Sequence, residues 1–280
     1  MNDVRNPPAG AKSLSDSPSE QARPKRRGRW LQLRNPVGFE WNRLRLPIAG
    51  LPLALAGLRI LHLTDFHFGQ WSRAYDELIE RVRANEPDLL LIGGDYVESK
   101  RDPWPAVPLV RRLLEQLTAR FGCFGVLGNH DGPIGPNIVS SNFTLIDRQR
   151  KLLEINGAKL ELIGIPRLTR QGPDQAFIDS LPTKTVGVPR VVLSHFSDFV
   201  NRMRSSGVDL FLAGHTHGGQ ICLPGGLAMV KHTSLPRRYV RGVHRIENMW
   251  FVANRGMGYS TIRIRTFCPS EVVEIELVRG

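Results

Sequence analysis

The sequence predicts an α/β fold with a mixed sheet, and three observations carry the prediction. Five short apolar runs of strand length each end abruptly in residues of metal-ligating type, helical periodicities lie between them, and one Asn-Gly pair marks an antiparallel hairpin. The runs are Leu58–Leu63, followed by Thr64-Asp65-Phe66-His67; Leu89–Ile92, followed by Gly93-Gly94-Asp95; and Cys123–Leu127, followed by Gly128-Asn129-His130-Asp131. The last two are Val191–Leu193, followed by Ser194-His195, and Leu210–Ala213, followed by Gly214-His215-Thr216-His217. Runs this short, bounded by Gly and polar residues, read as buried strands.

The helices follow from their own spacing. Ser72 is placed to cap a helix running through Asn85, with Leu78, Ile79 and Val82 on one face. Leu109, Leu113 and Leu117 repeat at helical spacing before Phe121, and a third helix is expected from Ser197 through Arg204. Asn156-Gly157 joins Leu152–Ile155 to Lys159–Ile163 as a tight hairpin, so the sheet is not purely parallel. Further strands are expected at Trp250–Ala253 and Val272–Val278.

Composition bounds the function class. With 41% apolar and 23% charged residues in 280, the chain is neither wholly disordered nor a multi-span membrane protein. Its three cysteines lie far apart without a CxxC pair, which excludes a zinc ribbon and a disulfide framework and fits a reducing compartment. The net charge of +12 is uneven: residues 1–45 hold ten basic side chains against four acidic ones. Residues 1–28, rich in Pro, Ser, Ala and Arg, cannot bury enough surface to offset chain entropy and are expected to be disordered. The expected organisation is a basic tail and lead-in over residues 1–45 and one folded domain over residues 46–280.

Leu46 to Leu58 is an uncharged stretch behind that basic segment, superficially like a signal peptide. It is too short to span a bilayer, holds two prolines and two glycines, and runs straight into the first motif-bearing strand. Arg26-Arg27 resembles a twin-arginine signal, but Arg34, Arg43 and Arg45 follow where an apolar run is required. Export is not expected; a cytoplasmic protein, peripheral on the inner face of the membrane, is. Two readings of the tail stand side by side: contact with anionic lipid through its basic cluster and Trp30, Leu31, Phe39 and Trp41, or a solvated tail followed by an ordinary packing segment. No motif supports nucleic-acid binding by the tail.

In open α/β sheets, ligands bind beyond the carboxyl ends of the strands. Folding therefore gathers Asp65, His67, Asp95, Asn129, His195, His215 and His217 into one place. A lone histidine is more often a satisfied core residue, and an Asp after a strand more often a cap or turn former. Five of the eight histidines nonetheless fall at these strand ends, where chance would scatter them. Oxygen and imidazole ligands without thiolate suit Mn, Fe, Zn or Co. Seven ligands exceed the need of one tetrahedral ion and suit two, about 3.5–4 Å apart, an arrangement fit for attack on phosphorus.

In order, Asp65-x-His67, Gly94-Asp95, Gly128-Asn129-His130-Asp131, His195 and Gly214-His215-x-His217 resemble the five blocks of the calcineurin-like metallophosphoesterases. Gly214 to Gln220, Asn254-Arg255-Gly256-Met257-Gly258 and the strand over Pro269–Val278 are similar to the YkuE/YaeI-type bacterial phosphodiesterase branch. The resemblance covers roughly Leu51 to Gly280, and it implies a sandwich of two central mixed sheets flanked by helices. It further implies one ion on Asp65, His67 and His217, another on Asn129, His195 and His215, and Asp95 bridging, with a hydroxide between the ions attacking phosphorus. His130 would give a hydrogen bond or proton to the leaving oxygen, oriented by Asp131. Where some relatives have His-x-Pro-Asp, this chain has His195-Phe196-Ser197-Asp198, which alters the adjacent loop and keeps the ligand. Arg255 is a candidate phosphate clamp, with a surface salt bridge as the equal alternative.

Phosphodiester or pyrophosphate substrates are implied by the branch. The basic tail adds a lipid-linked substrate, such as UDP-2,3-diacylglucosamine or a phospholipid, as an expectation. The rival enzyme class is a nucleic-acid or nucleotide phosphodiesterase. A non-catalytic binding module on the same fold would lack ligands, and here all seven are present with His130.

Overall fold

Strands that are apolar on both faces must be covered on both faces, and the architecture follows from that requirement. The computed structural model describes residues 30–33, 36, 38–166 and 173–280; the disorder expected for residues 1–28 concerns residues outside these. In chain order the elements are β1 (Leu31–Leu33), β2 (Glu40–Ile48), β3 (Arg59–Leu63), α1 (Arg73–Asn85), β4 (Leu89–Ile92), α2 (Val107–Leu114), β5 (Cys123–Gly125), α3 (Gly135–Ile138) and β6 (Phe143–Leu145). There follow β7 (Gln149–Ile155), β8 (Ala158–Ile165), α4 (Pro173–Asp179), β9 (Arg190–Ser194), β10 (Leu210–Ala213), β11 (Gly242–Ile246), β12 (Met249–Ala253), β13 (Ile264–Thr266) and β14 (Glu271–Arg279).

Two mixed six-stranded sheets result, in the orders β2-β14-β3-β4-β5-β6 and β11-β12-β10-β9-β8-β7, with β1 and β13 forming a separate pair. In the first sheet β3 to β6 are parallel and β14 runs antiparallel to β3. In the second, β8, β9, β10 and β12 are parallel and the edge strands β7 and β11 antiparallel. β4 shows why both faces are covered. Leu89 and Leu91 join Leu162, Leu193 and Leu212 in the core between the sheets, whereas Leu90 and Ile92 join Leu78 and Val82 of α1 and Val110 and Leu113 of α2. The outer face of the second sheet is closed by Phe199, Val200 and Met203 over Val192, Phe211 and Phe251. Each such side chain, fully buried, contributes about 1.5–3 kcal/mol.

The hairpin at Asn156-Gly157 joins β7 to β8 with φ of 50° and 82°, the left-handed pair that a two-residue turn requires. Three expectations need correction. The helix expected over Ser197–Arg204 is a short 3-10 helix, Ser197–Asn201. The run Cys123–Leu127 is a strand only to Gly125: Val126 N–H still reaches Ile92 O of β4, but Leu127 N–H donates to the Asp147 carboxylate instead of a strand. Ser72 does occupy the N-cap of α1 with extended backbone, but its hydroxyl makes no capping bond.

The expected domain boundary at residues 45/46 falls inside β2. Leu44, Leu46 and Ile48 alternate with Arg43, Arg45 and Pro47, and the strand pairs along its full length with β14. Arg43 and Arg45 meet Glu274 and Glu276 at 2.9 and 3.1 Å, and Trp41 Nε1–H donates to Glu274 at 2.6 Å. The stretch that looks like a signal peptide is core: Leu46, Ile48, Leu51, Leu55 and Leu58 are all buried. Among the described residues no helix is long and apolar enough to cross a membrane. Deleting residues 1–45 removes most of β2 and bares the edge of β14. Urea denaturation should then show a loss of roughly 3–5 kcal/mol, several ladder bonds' worth, and an unchanged midpoint would refute a structural role for the segment.

Candidate metal centre

The carboxyl ends of β3, β4 and β5 in one sheet and of β9 and β10 in the other converge on one place, and the seven expected ligands meet there. The loops that carry them are contorted. Asp65, His67, Asp95, His215 and His217 all lie in the left-handed region, with φ between 45° and 69°. A non-glycine residue there costs roughly 1–2 kcal/mol, and such strain gathers where a site demands it. Gly214 has a related role: a Cβ on it would strike Thr64 and the Asp65 carboxylate, so the two loops meet only because the side chain is absent.

Asp95 is central to the geometry. Its Oδ2 stands 3.5 Å from His67 Nε2 and 3.4 Å from His195 Nε2, while its Oδ1 accepts the His130 backbone N–H at 2.8 Å. Asp65, His67 and His217 form one compact group: Asp65 Oδ1 is 3.4 Å from His217 Nε2, and the two histidine Nε2 atoms are 3.0 Å apart. Asp95, His195 and His215 form another, which Asn129 joins with its Oδ1 3.0 Å from His195 Nε2. Donors on one ion with bonds of about 2.0–2.2 Å stand about 3–3.5 Å apart, which is the spacing here. His195 Nδ1 donates to Gly93 O at 2.8 Å, which directs the Nε2 lone pair at the acceptors of Asp95 and Asn129. Acceptors face acceptors, and either protons or cations must lie between them. The donor set therefore fits two hard-to-borderline divalent cations.

The protonation of the cluster says the same. Burial alone would lower the histidines, yet the carboxylates of Asp65 and Glu98 push His67 up to about 10, and Asp95 pushes His195 up to about 9. Burial works against ionising Asp65 and Asp95, but His217 and His67 hold the former down, and His195 the latter. His215 falls to about 3, through burial and the neighbouring His195 charge.

Two expected roles are corrected. Asp131 does not orient His130. Its carboxylate is fully buried and accepts the backbone N–H groups of Gly128, Tyr96, Asp95 and Val97 at 2.6, 2.7, 2.9 and 3.3 Å, latching the Asp95 loop to the Asn129 loop. Four nearby donors hold it more strongly than one imidazole would. His130 instead turns its Nδ1–H to Glu98 O at 2.7 Å, leaving Nε2 facing the site. Arg255 is neither a phosphate clamp nor a surface pair: it is largely buried, 2.7 Å from Glu40 and 2.6 Å from Glu271, so its charge is already met.

Two contributors were not singled out in the sequence. The Glu98 carboxylate stands 2.7 Å from His67 Nδ1 as an ion-pair contact and accepts from Thr261 N–H. Arg265, 1% exposed, donates to the carbonyls of His217, Arg255 and Gly258 and faces His217 Nδ1 at 3.2 Å, tying the loop after β10 to the loop after β12. Its only available signal is a basic residue alternating with Ile264 and Thr266 in a strand. A cavity of about 410 Å³ opens over Asp95, Asn129, His130 and His217, bordered by Lys100 and His232.

Because His67 and His195 hold protons until about pH 10 and 9, a cation must displace them. Isothermal titration of the chelator-treated protein with Mn2+ or Zn2+ should release one to two protons per chain between pH 6 and 8. Apparent affinity should weaken about tenfold per proton for each pH unit lowered; an affinity independent of pH would contradict this arrangement.

Comparison with known proteins agrees with the geometry. The calcineurin-like phosphoesterase family model matches residues 58–219, which span all five blocks. The phosphodiesterase YaeI of Escherichia coli is 31% identical over 238 residues, covering 80% of this chain and 83% of YaeI. The metallophosphoesterase YkuE of Bacillus subtilis is 26% identical, covering 81% of each chain. The UDP-2,3-diacylglucosamine pyrophosphatase LpxG of Chlamydia muridarum is 26% identical, over 78% of this chain and 83% of LpxG. The chain belongs to the calcineurin-like phosphoesterase family and is a metal-dependent phosphohydrolase.

Proposed function

We propose that the protein hydrolyses phosphodiester or pyrophosphate bonds with two divalent ions, Mn, Fe or Zn. The observation that carries this reading is the single Asp95 oxygen set midway between His67 and His195, which belong to different ligand groups. Asp65, His67 and His217 would hold one ion, Asn129, His195 and His215 the other, with Asp95 common to both. When bound, the ions acidify a water and neutralise phosphoryl oxygens.

The chain's own groups supply the rest. Glu98 holds two of them: its carboxylate fixes His67 and its carbonyl fixes His130. With Nδ1–H committed to Glu98 O, His130 presents Nε2 to the cavity, where its doubly protonated form donates a hydrogen bond or proton to the leaving oxygen. Burial lowers the His130 pKa, although Asp95 pulls it upward, so the protonated form is lost as pH rises. Lys100, at the cavity edge, adds positive charge where a phosphate enters. A lipid-linked substrate of the UDP-2,3-diacylglucosamine kind is supported by the similarity to LpxG and by the basic tail.

The test is hydrolysis of bis-p-nitrophenyl phosphate against p-nitrophenyl phosphate, after chelation and re-addition of Mn, Zn, Fe or Mg. Diester cleavage should depend on metal, and Asp95→Asn should lower it at least about 100-fold. His130→Ala should cost about 100-fold or more while metal content stays unchanged. Metal-independent turnover, or full activity in Asp95→Asn, would refute the reading.

A further inference from the structure

Beside the cavity lies a surface that catalysis does not use. Residues 221–229 form a small hairpin: Cys222 bridges Ala228, Met229 N–H donates to Ile221 O, and Leu223 N–H donates to Leu227 O around a turn at Pro224–Gly226. Opposed residues of an antiparallel pair share a face, and faces alternate along the strand. Cys222 and Ala228 fill the buried face. The other face, which faces water and would ordinarily be polar, carries Ile221, Leu223, Leu227 and Met229, the last three 46–55% exposed.

The apolar surface extends in both directions. Val230 and Ile262, each at least half exposed, line the metal-site cavity with Asp95, His130 and His217. Ile221 bridges Thr266 of β13, which pairs with β1, and there Trp30 and Leu33 are also exposed. Of twelve large apolar side chains exposed among the described residues, seven lie in residues 30–33, 223–230 and 262. A concentration of this kind marks a binding face.

Charge identifies the partner. From Leu210 to Ser270 the chain has eight Lys and Arg residues and one acid, Glu247. Glu247 is paired with Arg204, Glu98 with His67 and Glu40 with Arg255, and Asp198 accepts from Thr233 and Ser234. Arg237, Arg238 and Arg263 are exposed on the same segments. Aliphatic side chains at the turn, with a single exposed aromatic ring, Trp30, beside them and basic residues at their border, suit the interface of an anionic bilayer; a nucleic-acid surface would offer several aromatic stacking platforms. We propose that this face docks on an anionic lipid bilayer and brings the cavity to the level of its phosphates. The docking is read from this surface alone, and only its purpose rests on the phosphohydrolase reading.

Flotation of the full chain with phosphatidylglycerol-containing vesicles, against phosphatidylcholine alone, tests it. The wild type should float with the anionic vesicles only. Leu227→Glu/Met229→Glu, at exposed positions outside the ligand set, should reduce flotation at least about tenfold with bis-p-nitrophenyl phosphate turnover unchanged. The proposal is overturned if the wild type does not float, or if the variant floats equally well. It is also overturned if the same substitutions dissociate a wild-type dimer in light scattering, or abolish binding to a DNA oligonucleotide in a chain that ignores vesicles. Turnover without flotation would sink the docking and spare the hydrolase; flotation without turnover would do the reverse.

Discussion

The rest of the site depends on one buried carboxylate held open on one side. Asp95 has its Oδ1 taken by the His130 backbone and its own N–H taken by Asp131, so Oδ2 alone remains, between histidines delivered by different sheets. An ionised carboxylate this deep is tolerable only with positive charge around it. Protonated histidines supply that charge without metal, and cations supply it with metal. The left-handed residues around Asp95 are stabilised by the same arrangement, because each turns a ligand back toward the centre at the end of a rigid strand.

Two sheets are needed for this. β3, β4 and β5 bring Asp65, His67, Asp95 and Asn129; β9 and β10 bring His195, His215 and His217. The leucine core between the sheets sets their separation, and Asp131 and Arg265 fix the loops above it. Asp131 works through backbone N–H groups and Arg265 through backbone carbonyls, so each shapes main chain in place of touching substrate.

The central strands and the cluster were legible because they are local patterns: a run of apolar residues, then Gly, then a ligand. β4 needs only Leu89–Ile92 and its Gly-Gly-Asp to be recognised. What was not legible depends on partners distant in sequence. β2 reads as a charged lead-in until Glu274 and Glu276 are placed beside Arg43 and Arg45. Arg255 reads as a phosphate clamp or a surface salt bridge until Glu40 and Glu271 close on it below the surface. Asp131 reads as a partner of its neighbour His130 until the fold brings Asp95, Tyr96 and Val97 over it. That both faces of the hairpin at Leu223–Leu227 are apolar, one of them toward water, is set by the fold and not by any local pattern.

The proposed centre has Asp95 shared by two ions. Anomalous diffraction from crystals grown with Mn2+ measures this directly. It should show two peaks about 3.5–4 Å apart, one among Asp65, His67 and His217 and one among Asn129, His195 and His215, with Asp95 between them. A single peak, or two peaks of which only one touches Asp95, would contradict it.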